Sequence, residues 1–284
     1  MLLGVILGFM KTRRPALRYF GGKWRLAPWI ISFFPEHRVY VEPFAGGASV
    51  LLRKPRSKIE IYNDLDEEIV NVFRVLRDET LSESLRRKII LTPFSRSEYL
   101  SAFESHSDPV ERARRTIIKS FMGHGSDSVH MNHKSGFRSK TSNPNTHRCA
   151  ALDWVNYPPE IPLLCNRLRG VTIENKDALE IIKAFDGPDT LFYVDPPYVH
   201  ETRQDRHNYR HELNDEAHGE LLKVLNGIRG MALLSGYENP IYAGLGWEKE
   251  EIKALADGAR ERTECLWLNP AARDAGGQME LEHA

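Results

Sequence analysis

Short apolar runs alternate with longer stretches of helical period along most of this chain. Residues 38–42, 58–62, 170–174, 190–194 and 230–234 are rich in Val, Ile, Leu, Phe and Tyr and are mostly bounded by Gly, Pro, Asn or Asp. Runs of this length and make-up predict buried strands. Residues 24–34, 50–52, 67–77, 158–169, 178–185 and 215–228 predict helices, the first stopped by Pro35 and the third capped by Asp66. Residues 247–254 and 262–268 predict two closing strands, with Asn269-Pro270 ending the last. Strands alternating with helices argue an α/β fold: a mostly parallel sheet with helices on both faces. Between about 80 and 158 the alternation stops. Helices are expected at 81–91, 96–103 and 110–122, followed by a polar stretch at 123–150 rich in Ser, Asn, His and Gly. The expected organisation is a main domain of residues 11–79 and 159–270, interrupted by an inserted helical and loop subdomain at 80–158. Residues 1–10 and 271–284 are expected to be flexible termini.

Composition alters this picture little. Hydrophobic residues make up 41% and charged residues 27%, which fits an ordinary soluble globular protein. Three cysteines without paired spacing fit a reducing, cytoplasmic setting. The apolar run at 2–9 is too short to span a bilayer and makes a poor signal peptide, so no membrane partner is expected, and Met10 is a candidate start. Charge matters more. Formal net charge is zero, yet from Glu111 to Arg148 eight basic residues (Arg112, Arg114, Arg115, Lys119, Lys134, Arg138, Lys140, Arg148) face two acids (Glu111, Asp127). Interleaved with Ser, Asn, Gly and Phe137, they suit a surface for phosphates and base edges, or a solvated helix face with a loop. His130, His133, His147 and Cys149 match no common zinc spacing, so no metal is expected.

Candidate chemistry sits where the strands end. Leu17-Arg18-Tyr19-Phe20-Gly21-Gly22-Lys23 is a tight glycine loop but lacks the spacing of a phosphate-cradling P-loop. The first strand enters Pro43-Phe44-Ala45-Gly46-Gly47-Ala48-Ser49 and then a helix, the opening of a nucleotide-type βα unit. The spacing is not G-x-G-x-x-G, which disfavours a dinucleotide oxidoreductase. The second strand ends in Asn63-Asp64, about 20 residues beyond the glycine turn, where an acid usually holds a ribose hydroxyl. The third is followed by Asn175-Lys176-Asp177, where Asp177 is also a candidate helix cap. The fourth runs into Asp195-Pro196-Pro197-Tyr198. Two prolines must end that strand, so Asp195 and an exposed Tyr198 hang at its carboxyl end, where α/β sheets bind ligands.

In this order, Arg-Tyr-Phe-Gly-Gly-Lys, Glu-Pro-Phe-Ala-Gly-Gly, a strand-ending acid, a basic insertion and strand-Asp-Pro-Pro-Tyr resemble the DNA adenine methylase family. The resemblance runs from about residue 17 to 270. It implies a Rossmann-like sheet and transfer of a methyl group from S-adenosylmethionine to the N6 amino group of adenine. The partner it implies is double-stranded DNA, bound by a monomer with the target base flipped out. Tyr19, Gly22, Lys23, Phe44, Ala45, Gly46, Asp64, Asp177 and Asp195 then become cofactor-contact candidates, and Asp195, Pro196 and Tyr198 catalytic ones. The insertion becomes a target-recognition region, with Arg138, Lys140, Arg148 and, after the catalytic turn, Arg203 as DNA-contact candidates. The residue types suit the chemistry. An adenine amino nitrogen is a poor nucleophile because its lone pair is delocalised into the ring. Hydrogen-bond acceptors from Asp195 and the Pro196 carbonyl favour a tetrahedral nitrogen, and Tyr198 offers a ring for stacking. Other acceptors (cytosine N4, RNA adenine, a protein amide) and an inactive DNA-binding relative are the competing readings. The acid at 195 favours adenine.

Overall fold

Five parallel strands and an antiparallel hairpin make one seven-stranded sheet in this computed structural model, which describes residues 12–124, 136–139, 149–198, 213–255 and 261–282. Lys140, Arg148, Arg203, His130, His133 and His147 lie outside the described residues. In chain order the elements are α1 (Ala27–Ser32), β1 (Val39–Glu42), α2 (Ser49–Arg53), β2 (Ile59–Asn63), α3 (Glu67–Arg77), α4 (Glu79–Leu91), α5 (Arg96–Ser101), α6 (Pro109–Met122) and α7 (Ala150–Val155). Next come α8 (Ile161–Leu168), β3 (Val171–Glu174), α9 (Ala178–Phe185), β4 (Thr190–Val194), α10 (Asp215–Gly227), β5 (Met231–Gly236), α11 (Pro240–Ala243), β6 (Glu248–Leu255), β7 (Glu261–Leu268) and α12 (Pro270–Glu282). The chain divides into two units, one of Met1–Gly22, Gly46–Arg53 and Asp66–Arg169, the other of Lys23–Ala45, Lys54–Leu65 and Gly170–Ala284.

The second unit holds the whole sheet, in the order β3-β2-β1-β4-β5-β7-β6. β1 pairs in parallel with β2 on one side and β4 on the other, so the winding direction reverses between β1 and β4. Such a reversal leaves a crevice beyond the carboxyl ends of the two strands. β7 runs antiparallel to β5, setting Cys265 opposite Gly236, and β6 closes the edge.

Strand alternation sorts side chains to two faces. On one face Val41, Ile61, Phe192, Val194, Ala232 and Leu234 are buried against Ile181 and Ile182 of α9 and Leu221 and Leu225 of α10. Full burial of each such side chain contributes about 1.5–3 kcal/mol, so this core fixes the register. The other face carries Tyr40, Glu42, Tyr193 and Ser235, all buried. Phe34, just after α1, covers part of it, with ring centroids 5.6 Å from Tyr40 and 6.3 Å from Tyr193. The segment expected to be flexible from residue 271 instead enters α12, which packs against β5 and β7. Asn269 begins it: Oδ1 accepts from the backbone N–H of Ala272 and of Ala232, each at 2.9 Å.

The first unit is helical. Asp66 caps α3 as expected, accepting from the Glu68 N–H at 3.0 Å. Val70, Phe73 and Leu76 are buried on that helix. The helices expected at 81–91, 96–103 and 110–122 correspond to α4, α5 and α6, while α7 was not anticipated.

The concentrated positive charge read from this region needs correction. Arg112 reaches Glu68 at 2.8 Å and Glu67 at 3.2 Å. Arg114 lies between Glu111 at 2.7 Å and Glu98 at 2.9 Å, and Arg115 reaches Glu111 at 3.0 Å. Arg112 and, in part, Arg114 are matched by acids on α3 and α5 that lie outside the stretch counted, and Arg115 by Glu111 within it. Hydrogen bonds from Arg114, and then from Arg115 and Lys88, hold the Glu111 carboxyl down at about 2 against the cost of its burial.

Candidate active site

β4 is buried along its whole length, and Pro196, one residue past Asp195, is buried too. Asp195 is therefore carried out of the core on a chain with little freedom. Lys23 meets it from the loop before α1, where the Lys23 carbonyl accepts the Ala27 N–H at 2.7 Å. The Lys23 ammonium lies 3.0 Å from Oδ1 of Asp195, with side-chain exposures of 5% and 18%. The same ammonium sits 4.7 Å from the centroid of the Tyr198 ring, within cation–π range.

Tyr198 is half-buried, not the exposed platform expected from sequence. Its hydroxyl donates to Oε2 of Glu264 at 2.9 Å, and its ring meets Tyr237 nearly edge-on, centroids 4.6 Å apart. Arg262 places its guanidinium carbon 5.2 Å from the Tyr237 ring centroid. Glu264, Arg262 and Tyr237 were not singled out from the sequence. The signal lay in the alternation of β7: Cys265 and Trp267 face the apolar core, so Arg262 and Glu264 must face the other way, with Tyr193 and Ser235.

Two half-buried carboxylates thus act on one buried ammonium. Burial raises the Asp195 pKa, and the Glu264 charge adds to that, while Lys23 offsets only part. Burial alone would lower the Lys23 pKa, but Asp195 and then Glu264 outweigh it and the pKa is raised, so the ammonium stays charged at neutral pH. The Tyr198 and Tyr193 phenols are pushed well up, first by burial and then by the nearby carboxylates.

The ends of β1, β2 and β3 are tied together by Asn63, a wholly buried residue whose role the sequence did not disclose. Its side-chain N–H groups donate to the carbonyls of Pro43 at 2.9 Å and Lys176 at 3.0 Å, and its Oδ1 accepts the Lys176 N–H at 2.9 Å. Its own carbonyl accepts from Ala45, and Asn175 donates to the Asp64 carbonyl at 2.8 Å. Half-buried Phe44, buried Ala45, half-buried Asp64 and exposed Asp177 are thereby gathered at one end of the sheet. Asp177 takes the capping role, accepting the Leu179 N–H at 2.8 Å.

Tyr19, Gly22 and Gly46 belong to the helical unit. There the turn closes on Tyr19: a Cβ on Gly46, at φ 46°, would stand 2.5 Å from the tyrosine ring. Ala48 also adopts a positive φ of 52°, a strained conformation for alanine. Arg138 is half-buried, its N–H donating to the Met122 carbonyl at 2.8 Å and its guanidinium reaching the Phe121 carbonyl at 3.4 Å.

A family model, D12 class N6 adenine-specific DNA methyltransferase, matches residues 19–257. The chain belongs to this family. The matched segment takes in the Tyr19–Lys23 loop, the glycine turn, Asp64, Asp177 and the Asp195–Tyr198 turn, and it stops before β7. Two curated relatives, DNA adenine methylases from two strains of Vibrio cholerae serotype O1, are 34% identical to the chain over 70 residues. Each match spans a quarter of this chain and a quarter of the relative. Among the described residues no cluster of His, Cys, Asp or Glu could hold a metal ion, and no helix is long and apolar enough to cross a membrane.

Proposed function

We propose that this protein transfers a methyl group from S-adenosylmethionine to the N6 amino group of adenine in double-stranded DNA, after the base has been flipped out of the helix. The observation that carries the reading is the Lys23 ammonium, an N–H donor held 3.0 Å from Asp195 and 4.7 Å above the Tyr198 ring. A flipped adenine needs that same pair of contacts, a carboxylate for its amino group and an aromatic face for its ring. Lys23 stands in for the amino group, and entry of the base displaces it. Asp195 then accepts one amino N–H and the Pro196 carbonyl is the candidate acceptor for the other. These acceptors favour a tetrahedral nitrogen with its lone pair free, and little reorganisation is needed because the prolines fix them in advance. Stacking on Tyr198 contributes about 1–3 kcal/mol, comparable to the few kcal/mol of unpairing and unstacking. Asp195 acts as an oriented acceptor rather than a strong base, since the amino proton becomes acidic only once the nitrogen carries the methyl group.

The residues gathered by Asn63 fit the proposed cofactor. Asp64 at the end of β2 offers a carboxylate for the ribose hydroxyls, and the neighbouring Leu65, 47% exposed, offers an apolar surface for the adenine ring. Phe44 and Ala45 line the turn proposed for the methionine part, and Asp177 is the candidate acceptor for the cofactor's adenine amino group. Tyr19, Gly22 and Gly46 remain proposed contributors through the glycine turn. When bound, S-adenosylmethionine supplies an electrophilic methyl group on its sulfonium. Residues 80–158 are proposed as the target-recognition region, with Arg138, Lys140, Arg148 and Arg203 as DNA contacts, in an enzyme that acts as a monomer in the cytoplasm.

Incubation with methyl-labelled S-adenosylmethionine and unmethylated DNA, followed by digestion to nucleosides, should place the label in N6-methyladenine. Label in N4-methylcytosine, or no label in DNA, would overturn the proposal.

A further inference from the structure

The β6–β7 hairpin supplies a group that the family match does not reach. Glu264 lies beyond the matched residues 19–257, yet its Oε2 accepts the Tyr198 hydroxyl at 2.9 Å. Tyr237 buttresses the same ring at 4.6 Å and an interplanar angle of 77°, and Arg262, two residues before Glu264 on the same face of β7, lies over Tyr237 at 5.2 Å. The Tyr198 ring is therefore held at its hydroxyl and against a second ring, the holds coming from β7 and from the residue after its neighbour β5. A half-buried tyrosine hydroxyl needs only a neutral acceptor. A carboxylate is a costly choice here, because its charge adds to that of Asp195 and raises the Asp195 pKa. What a carboxylate adds is strength: a hydrogen bond to a charged acceptor is roughly twice as strong as a neutral one.

We propose that Glu264 is a positioning residue that fixes the plane of the Tyr198 ring for the incoming base. The proposal rests on the base-stacking role given to Tyr198 above, and it adds a determinant from outside the family's matched segment. Without Glu264 the Tyr198 hydroxyl keeps only its contacts with Ser235 and Asp195, and the ring presents a less firmly fixed surface to a flipped base.

The test uses the full chain labelled with 3-fluorotyrosine, with the Tyr198 resonance identified by its loss in Tyr198→Phe. In Glu264→Ala that fluorine resonance should shift and narrow without any substrate present. On DNA, Glu264→Ala should lower kcat about tenfold with KM for DNA within about twofold, and Glu264→Gln, which keeps a neutral acceptor of about half the strength, should fall between wild type and Glu264→Ala at about a threefold loss. Tyr198→Phe should cost at least as much as Glu264→Ala, because it also removes the hydroxyl's contacts with Ser235 and Asp195, and the double variant should cost no more than Tyr198→Phe alone. An unmoved resonance, a moved resonance with wild-type kcat, or fully additive losses would overturn the proposal. Absence of adenine methylation by the wild-type protein counts against the proposed function alone, and the fluorine resonance then decides whether Glu264 anchors the ring.

Discussion

Replacing Asp195 by Asn separates catalysis from stability at one atom. Asparagine keeps the shape and one acceptor oxygen but removes the charge. The Lys23 ammonium, 3.0 Å from Oδ1, marks how near a donor nitrogen comes to this carboxylate. As the methyl group arrives, the amino nitrogen becomes positive at about that distance. A unit charge pair 3 Å apart at an effective dielectric constant of about 20 interacts by roughly 5–6 kcal/mol before solvation costs. A charged acceptor improves on a neutral one by about 1–1.5 kcal/mol net. A loss of about 3 kcal/mol, between these bounds, lowers kcat about 10²-fold. Stability should move the other way. The Asp195 pKa is raised above 3.8, chiefly by burial. Its contribution to folding is therefore fully present below pH 3.8 and lost as pH rises through the folded pKa, so at neutral pH the carboxylate is a cost to the fold. Lys23 keeps Glu264 as a charge partner when Asp195 is neutral. Asp195→Asn should thus unfold in urea at pH 7 no earlier than wild type, while kcat falls and the cofactor dissociation constant stays within a few-fold. A kcat loss under about threefold would refute the acceptor role, and a urea midpoint well below wild type would refute the charge accounting.

Two more substitutions probe the supporting structure. Gly46→Ala forces a Cβ to within 2.5 Å of the Tyr19 ring at a positive φ, and should cost about 2–4 kcal/mol in urea unfolding; a loss below about 1 kcal/mol would show that Tyr19 yields freely. Glu111→Gln removes a carboxyl held at about 2 against 4.5 for an ordinary glutamate. Its stabilisation is present above pH 4.5 and lost as pH falls through about 2, so the variant should be about 2 kcal/mol less stable at pH 7, allowing for partial solvation. The gap should narrow at pH 3.5, and a constant gap would count against the arginine pairing.

Local signals carried most of the secondary structure and located the turn that carries Asp195 in the candidate site. Strands 38–42, 58–62, 170–174, 190–194 and 230–234 were legible because their apolar runs are short and end in turn residues, and all five reappear within one or two residues as β1 to β5. Asp195-Pro196-Pro197-Tyr198 was legible because prolines must end a buried strand and stiffen the turn beyond it. Helices α7, α11 and α12 were missed: the first two are only six and four residues long, and the third runs through Gly276 and Gly277, which are poor helix formers.

The illegible part depends on pairing between distant segments. That β7 would lie beside β5, bringing Glu264 to Tyr198, comes from register across the sheet, and no local pattern encodes the partner of a strand. The same holds for Arg112 and Arg114, which looked like free positive charge until packing set Glu67, Glu68 and Glu98 beside them. Sequence periodicity decides which face of a strand or helix a side chain occupies, because that is a property of backbone geometry. Which charges meet on that face, and how far burial shifts them, is decided only when the sheet closes and water is excluded.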